Sequence, residues 1–232
     1  MLEHVRNLFR KELPPLSVSE IAASKLTYLP AAKLENIAQC IQQVQAQHVP
    51  GDFVEFGVAL GGSGIFIARR MDRPRRFVGL DLFGMIPAPG PKDDEKSHER
   101  YRVIASGRSE GIGGDRYYGY EPDLLSKVKR SFSEYGIPVD GKRVSLLPGL
   151  FEDTLPHWTV RKIAFAHIDC DWFDPVTLCL ETTLPLMSPG GFIILDDYKD
   201  YGGCKQATDE FLQRHRNVTL VDSTHNAVLQ VS

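Results

Sequence analysis

Residues 162–175 read KIAFAHIDCDWFDP. The first eight are nearly continuous in apolar side chains, the pattern of a strand buried on both faces of a parallel sheet, and the run stops on Asp169. Pro175 suits the first turn of a helix, where its missing N–H would have no partner anyway, so the stretch reads as strand, acidic turn, helix. Three carboxylates, Asp169, Asp171 and Asp174, crowd into that turn.

The same rhythm extends in both directions. DFVEFGV (52–58), RFVGLDL (76–82), RVSLLPG (143–149) and GFIILDD (191–197) are further apolar runs of strand length. Helices fit at 62–72, 122–135, 173–187 and 203–215. The last two runs, NVTL (217–220) and AVLQV (227–231), are separated by DSTHN and can pair antiparallel at the sheet edge. Alternating β and α segments predict an α/β, doubly wound, Rossmann-like fold: a mostly parallel seven-stranded sheet with an antiparallel edge hairpin. Such sheets bind ligands beyond the carboxyl ends of their strands, at the topological switch point. Asp81, Asp169, Asp196 and Asp197 all stand at predicted carboxyl ends, so the fold would gather them along one rim.

Residues Ser17 to Val49 look helical. Ser17 and Glu20 have capping-box spacing, and Leu34, Ile37, Ile41 and Val44 mark one apolar face before Pro50 and Gly51 close the segment. That face could cover the sheet or supply a homo-oligomer interface. Residues 83–121, rich in Gly, Pro and charge, are too long for an ordinary connection and read as a mobile lid over the rim. The expected organisation is one domain over 1–232, with a helical N-terminal segment (1–50) and the lid as an insertion.

With 27 Lys plus Arg against 30 Asp plus Glu, the formal net charge of −3 provides no field to gather nucleic acid or an anionic membrane. A small-molecule partner is expected. Cys40, Cys170, Cys179 and Cys204 have no C-x-x-C spacing, which argues against a zinc site and a disulfide framework and for a reducing compartment. No run approaches the roughly 18 apolar residues that span a bilayer. These features predict a soluble, cytoplasmic protein without a membrane partner.

Glu55-Phe-Gly57-Val-Ala-Leu-Gly61-Gly62-Ser63-Gly64 follows the first strand and opens a helix, where glycines permit a sharp turn and free N–H groups can meet a carboxylate or phosphate. It is neither a G-x-G-x-x-G dinucleotide turn nor a P-loop. Asp81 is placed to accept hydrogen bonds from a ribose diol, its bland alternative being a solvated strand end. Asp169, Asp196 and Asp197 offer hard oxygen ligands with no His or Cys converging by sequence, which suits Mg²⁺, Mn²⁺ or Ca²⁺ rather than zinc. The alternative is that Asp197 caps a turn and Asp169 the following helix. His167 reads as a satisfied strand histidine or as a donor to one of the carboxylates. The basic run RRMDRPRR (69–76) reads as solvated surface at a helix end, and Tyr117, Tyr118 and Tyr120 as residues that stack on an acceptor or pin the lid.

The order E-F-G-V-x-x-G-G-S, F-x-G-x-D-x-F-x-G-x-P-x-P, G-x-F-E-D-T-L-P, H-I-D-x-D and S-P-G-G-x-I-I-x-D-D-Y resembles the macrocin O-methyltransferase (TylF-type) family of S-adenosylmethionine-dependent sugar methyltransferases, from about Gly51 to Phe211. More widely it resembles Mg²⁺-dependent catechol-type O-methyltransferases. The resemblance implies a class I methyltransferase fold with S-adenosyl-L-methionine and Mg²⁺ as cofactors. It implies that Glu55, Gly57 and Ser63 line the methionine end, that Asp81 meets the ribose hydroxyls and that Phe151 and Glu152 flank adenine. It further implies Asp169, Asp196 and Asp197 as metal ligands and Asp171 as general base. The expected acceptor is a small-molecule hydroxyl, in the first instance a sugar unit of a glycosylated natural product. A catechol-type aromatic diol and a non-catalytic cofactor-binding or assembly role are the alternatives. Ala59-Leu60, the charged lid and the ending AVLQVS depart from the family pattern on the acceptor side.

Overall fold

A computed structural model describes residues 13–232; the part of the N-terminal segment at 1–12 lies outside them. The strands are β1 (Asp52–Phe56), β2 (Phe77–Asp81), β3 (Val144–Pro148), β4 (Ile163–Ile168), β5 (Met187–Leu195), β6 (Val218–Asp222) and β7 (Ala227–Val231). The helices are α1 (Val18–Ala23), α2 (Ala31–Ala46), α3 (Gly62–Ala68), α4 (Glu95–Ala105), α5 (Leu124–Glu134), the single turn α6 (Phe151–Thr154), α7 (Phe173–Thr183) and α8 (Gly202–Arg214). They surround one seven-stranded sheet of order β3-β2-β1-β4-β5-β7-β6. Its first five strands pair in parallel, and β7 pairs antiparallel with both β5 and β6. The order reverses between β1 and β4, which places the switch point where Gly57 and Asp169 leave the sheet.

Successive side chains on a strand point to opposite faces, and the core divides accordingly. On one face Phe53, Phe77, Phe165 and Phe192 pack with Leu34, Ile37, Ile41 and Val44 of α2, Phe66 of α3 and Phe132 of α5. On the other, Val54, Phe56, Ile168, Ile193 and Leu195 meet Val176 and Leu180 of α7 and Phe211 of α8. The apolar stripe of α2 thus covers its own sheet. No helix among the described residues is long and apolar enough to cross a membrane.

Four differences from the sequence reading have local causes. The predicted 17–49 helix is two helices: Ser17 does cap the first through a full capping box, but Lys25 turns left-handed (φ 58°) and Pro30 starts a second. Strand β5 begins four residues before Gly191, because the register with β4 jumps from Ile163↔Met187 to Phe165↔Phe192. The 83–121 segment contains a helix, α4, capped by Asp94, whose carboxylate accepts from Ser97 N and from Gly202 N at 2.9 Å and so ties α4 to α8. Finally, four of the arginines in 69–76 (Arg69, Arg70, Arg75 and Arg76) are half-buried ties rather than solvated surface, while Arg73 is exposed. Arg69 donates to Tyr135 O (2.8 Å), Arg75 to Gly51 O (2.7 Å), and Arg76 pairs with Asp52 (2.6 Å).

Candidate functional site

The glycine turn after β1 sits against β4 so closely that only Gly57 fits. It has φ 86°, and a Cβ there would lie 1.8 Å from Asp169 O. Asp81, at the end of β2, fixes the same turn: its carboxylate accepts from Val58 N (2.7 Å), Ala59 N (2.8 Å) and Phe83 N. Burial nevertheless raises the Asp81 carboxyl above its ordinary range despite those three donors. A carboxylate has about four lone-pair directions, so a ribose hydroxyl would find one of them open.

Across the switch point, Asp169 follows β4 while Asp196 and Asp197 open a 3₁₀ turn after β5. One oxygen from each lies within 4.8 Å of the others. Asp171 adjoins them in a left-handed conformation (φ 59°), its N–H donating to Asp197 Oδ2 at 3.1 Å. Burial first, then Asp196 and Asp197, raises Asp169 well above the carboxylate range; burial, Asp171 and Asp196 do the same for Asp197. Asp171 is pushed up to about 7 by burial and then by Asp196, with Arg100 opposing. Asp196 behaves differently: burial would raise it, but His167 and then Lys33 hold it below the ordinary value.

Lys33 reaches in from α2, donating to Asp196 O (3.0 Å), Asp196 Oδ2 (2.8 Å) and Asp200 Oδ2 (2.7 Å). Burial opposes its charge, but Asp196 and Asp200 outweigh it and raise the ammonium pKa. On the far side His167 Nδ1 stands 3.0 Å from Glu55 Oε1, and Nε2 lies 3.9 Å from Asp196 Oδ1, too far for a hydrogen bond. Burial alone would depress His167; the two flanking acids outweigh it and push the ring up to about 9. The oxygen-only set suits a hard divalent ion. Two of its carboxylates resist ionising together, and Asp196 Oδ1 is buried without a hydrogen-bond partner among the described residues. These residues therefore fit a divalent cation that would supply the missing positive charge.

The acids face a cleft of two lobes. The first, about 320 Å³, is lined by Leu82, Gly149, Leu150, Phe151, Glu152 and Trp172 among others. The second, about 450 Å³, is lined by Tyr28, Lys33, Arg100, Tyr117, Asp196 and Tyr201 among others. Gly57, Asp81, Tyr118, Asp169, Asp171 and Trp172 belong to both walls, so the lobes meet over the acidic rim. Asp197 lines the second lobe. Glu55 and Ser63 line neither: both are buried, set back beneath the turn. The 83–121 segment contributes to both walls, pinned by Trp172 Nε1–H donating to Pro87 O (2.9 Å). Tyr117 and Tyr118 face the cleft, whereas Tyr120 pins the segment through its hydroxyl to Ile104 O and Ser109 N.

Lys33, Arg100, Tyr28 and Tyr201 escaped the sequence reading. Lys33 alone had a legible signal, a cation four residues before Ile37 and in phase with the apolar stripe of α2.

A family model described as "Macrocin-O-methyltransferase (TylF)" matches residues 20–225. The chain is 33% identical over 192 residues to an 8-demethyl-8-(2,3-dimethoxy-alpha-L-rhamnosyl)-tetracenomycin-C 4'-O-methyltransferase from Streptomyces olivaceus, covering 79% of this chain and 66% of the relative. It is 32% identical over 197 residues to a Mycinamicin III 3''-O-methyltransferase from Micromonospora griseorubida, covering 82% of this chain and 71% of that one. The chain thus spans about two thirds of the length of these relatives. Among solved structures, the O-methyltransferase NovP superposes with a TM-score of 0.73 at 28% identity, over 89% of this chain and 81% of that one.

Proposed function

Because the chain belongs to the macrocin O-methyltransferase family, we propose that it is an S-adenosylmethionine- and Mg²⁺-dependent O-methyltransferase. In this reading it methylates a hydroxyl of a small molecule, a sugar unit of a glycosylated natural product. The observation that supports this best is the meeting of the two lobes over Asp169 and Asp171. One lobe is proposed to hold the cofactor, with Phe151 and Glu152 beside adenine and Asp81 and Gly57 toward the ribose and the methionine end. The other would hold the acceptor between Tyr28, Tyr117, Tyr201 and Trp172.

An alkyl hydroxyl is a poor nucleophile near neutral pH. A divalent ion held by Asp169, Asp196 and Asp197 would polarise the acceptor hydroxyl and orient it. Asp171 would take the acceptor proton; S-adenosylmethionine, when bound, would supply the methyl group from its sulfonium, with S-adenosylhomocysteine as the released product. A positioned base of this kind contributes ~10²- to 10⁴-fold. The aromatic walls and the 83–121 segment exclude water and hold the acceptor in line.

The test is mass spectrometry of a glycoside panel and a catechol panel incubated with S-adenosylmethionine, with Mg²⁺ or with excess chelator. A mass gain of one methyl on glycosides, lost with chelation, is expected. Methylation confined to catechols would move the acceptor to aromatic diols, and transfer unaffected by chelation would remove the metal.

A further inference from the structure

Glu55, His167 and Ile194 are register partners on β1, β4 and β5, and Asp196 follows Ile194 by two residues. A row of acid, imidazole and acid therefore crosses the switch point directly beneath the cleft. Each member keeps one buried atom without a hydrogen bond among the described residues: Glu55 Oε2, His167 Nε2 and Asp196 Oδ1. Buried polar atoms are rarely left so, and three in one row call for a cause. A histidine serving only to fill the core would satisfy both nitrogens; this one binds Glu55 at 3.0 Å and stops 3.9 Å short of Asp196. Glu55 itself is fully buried and lines neither lobe.

We propose that Glu55 and His167 are positioning residues for Asp196: Glu55 fixes the imidazole through Nδ1, so that Nε2 faces Asp196 Oδ1 across 3.9 Å and biases that carboxylate toward the acidic cluster as an ion pair rather than through a hydrogen bond. Lys33 grips Oδ2 from the opposite side, so the two contacts together set the rotamer of Asp196. The proposal rests on the metal-dependent reading above, and it moves Glu55 from the cofactor side of the site to the metal side. Outer contacts of this type tune affinity by orienting the group that touches the ion.

The test is titration of Mn²⁺ into protein saturated with S-adenosylhomocysteine, followed by calorimetry, with S-adenosylhomocysteine affinity measured separately. His167→Phe, which keeps a ring of similar size and removes both nitrogens, should weaken Mn²⁺ binding ~10- to 100-fold. Glu55→Gln should weaken it in the same direction, and His167→Gln, which restores one N–H, should recover part of the loss. S-adenosylhomocysteine affinity should stay at the wild-type value in all three. Unchanged Mn²⁺ affinity in Glu55→Gln and either His167 variant would overturn the proposal. So would a Glu55→Gln protein that loses S-adenosylhomocysteine while keeping Mn²⁺, which would return Glu55 to the cofactor. A wild-type chain that takes up no Mn²⁺ would instead refute the metal-dependent reading and this proposal with it.

Discussion

Replacing Asp171 by Asn separates basicity from structure. The residue is left-handed (φ 59°), a conformation that Asn tolerates as well as Asp does, and its N–H to Asp197 Oδ2 is a backbone contact that survives the change. What disappears is one half-buried carboxylate. If it accepts the acceptor proton, turnover should fall ~10²- to 10⁴-fold, about 3 to 5 kcal/mol on the barrier, with cofactor affinity unchanged. A second readout comes from stability in the presence of chelator. The folded carboxyl titrates at about 7, above its ordinary 3.8. Between those values the folded chain holds the proton more tightly than the unfolded chain, so this group's contribution to stability falls as pH rises from about 4 to 7. Asp171→Asn removes that slope, and the metal-free variant should gain on the wild type in urea denaturation at pH 8 relative to pH 5. Turnover near the wild-type level would refute the base assignment, and a pH dependence identical to the wild type would refute the electrostatic one.

Other substitutions probe the supports of the site. Lys33→Met breaks a pair whose side chains are only 10% and 7% exposed, and in metal-free protein it should cost ~3 to 5 kcal/mol in urea denaturation, partly restored by Mn²⁺; an unchanged midpoint would show that the pair adds nothing. Gly57→Ala forces a Cβ to within 1.8 Å of Asp169 O and should cost more than ~4 kcal/mol, so a folded variant that still binds S-adenosylhomocysteine would contradict the packing of the turn. Trp172→Phe deletes the Nε1–H bond to Pro87 O, worth ~1 kcal/mol, and should speed limited proteolysis within 83–121; unaltered cleavage would mean that this bond does not pin the segment.

The sheet was legible because each inner strand is apolar on both faces, so Phe53 and Val54, or Phe165 and Ala166, appear as unbroken runs even though they serve opposite layers. The convergence of Asp169, Asp196 and Asp197 followed from strand order alone, since all three stand at carboxyl ends beside the switch point. Side-chain partnerships were less visible. Lys33 meets Asp196 across 163 residues of chain, and Glu55 meets His167 across 112, distances over which spacing carries no information. Helix α4 was hidden by the charge and glycine of its surroundings, although Asp94 and Ser97 carry a capping signal at its start. Glu55, assigned to the cofactor by the Glu-x-Gly resemblance, has its carboxylate under the turn against His167, a partnership that the motif does not reveal.

A divalent cation is proposed to sit among Asp169, Asp196 and Asp197. Anomalous diffraction from crystals soaked in Mn²⁺ and S-adenosylhomocysteine tests it most directly. The expected result is a single strong peak within coordination distance, ~2.0 to 2.6 Å, of oxygens from all three side chains. A map with no peak there, with Lys33 and His167 alone balancing the acids, would contradict it.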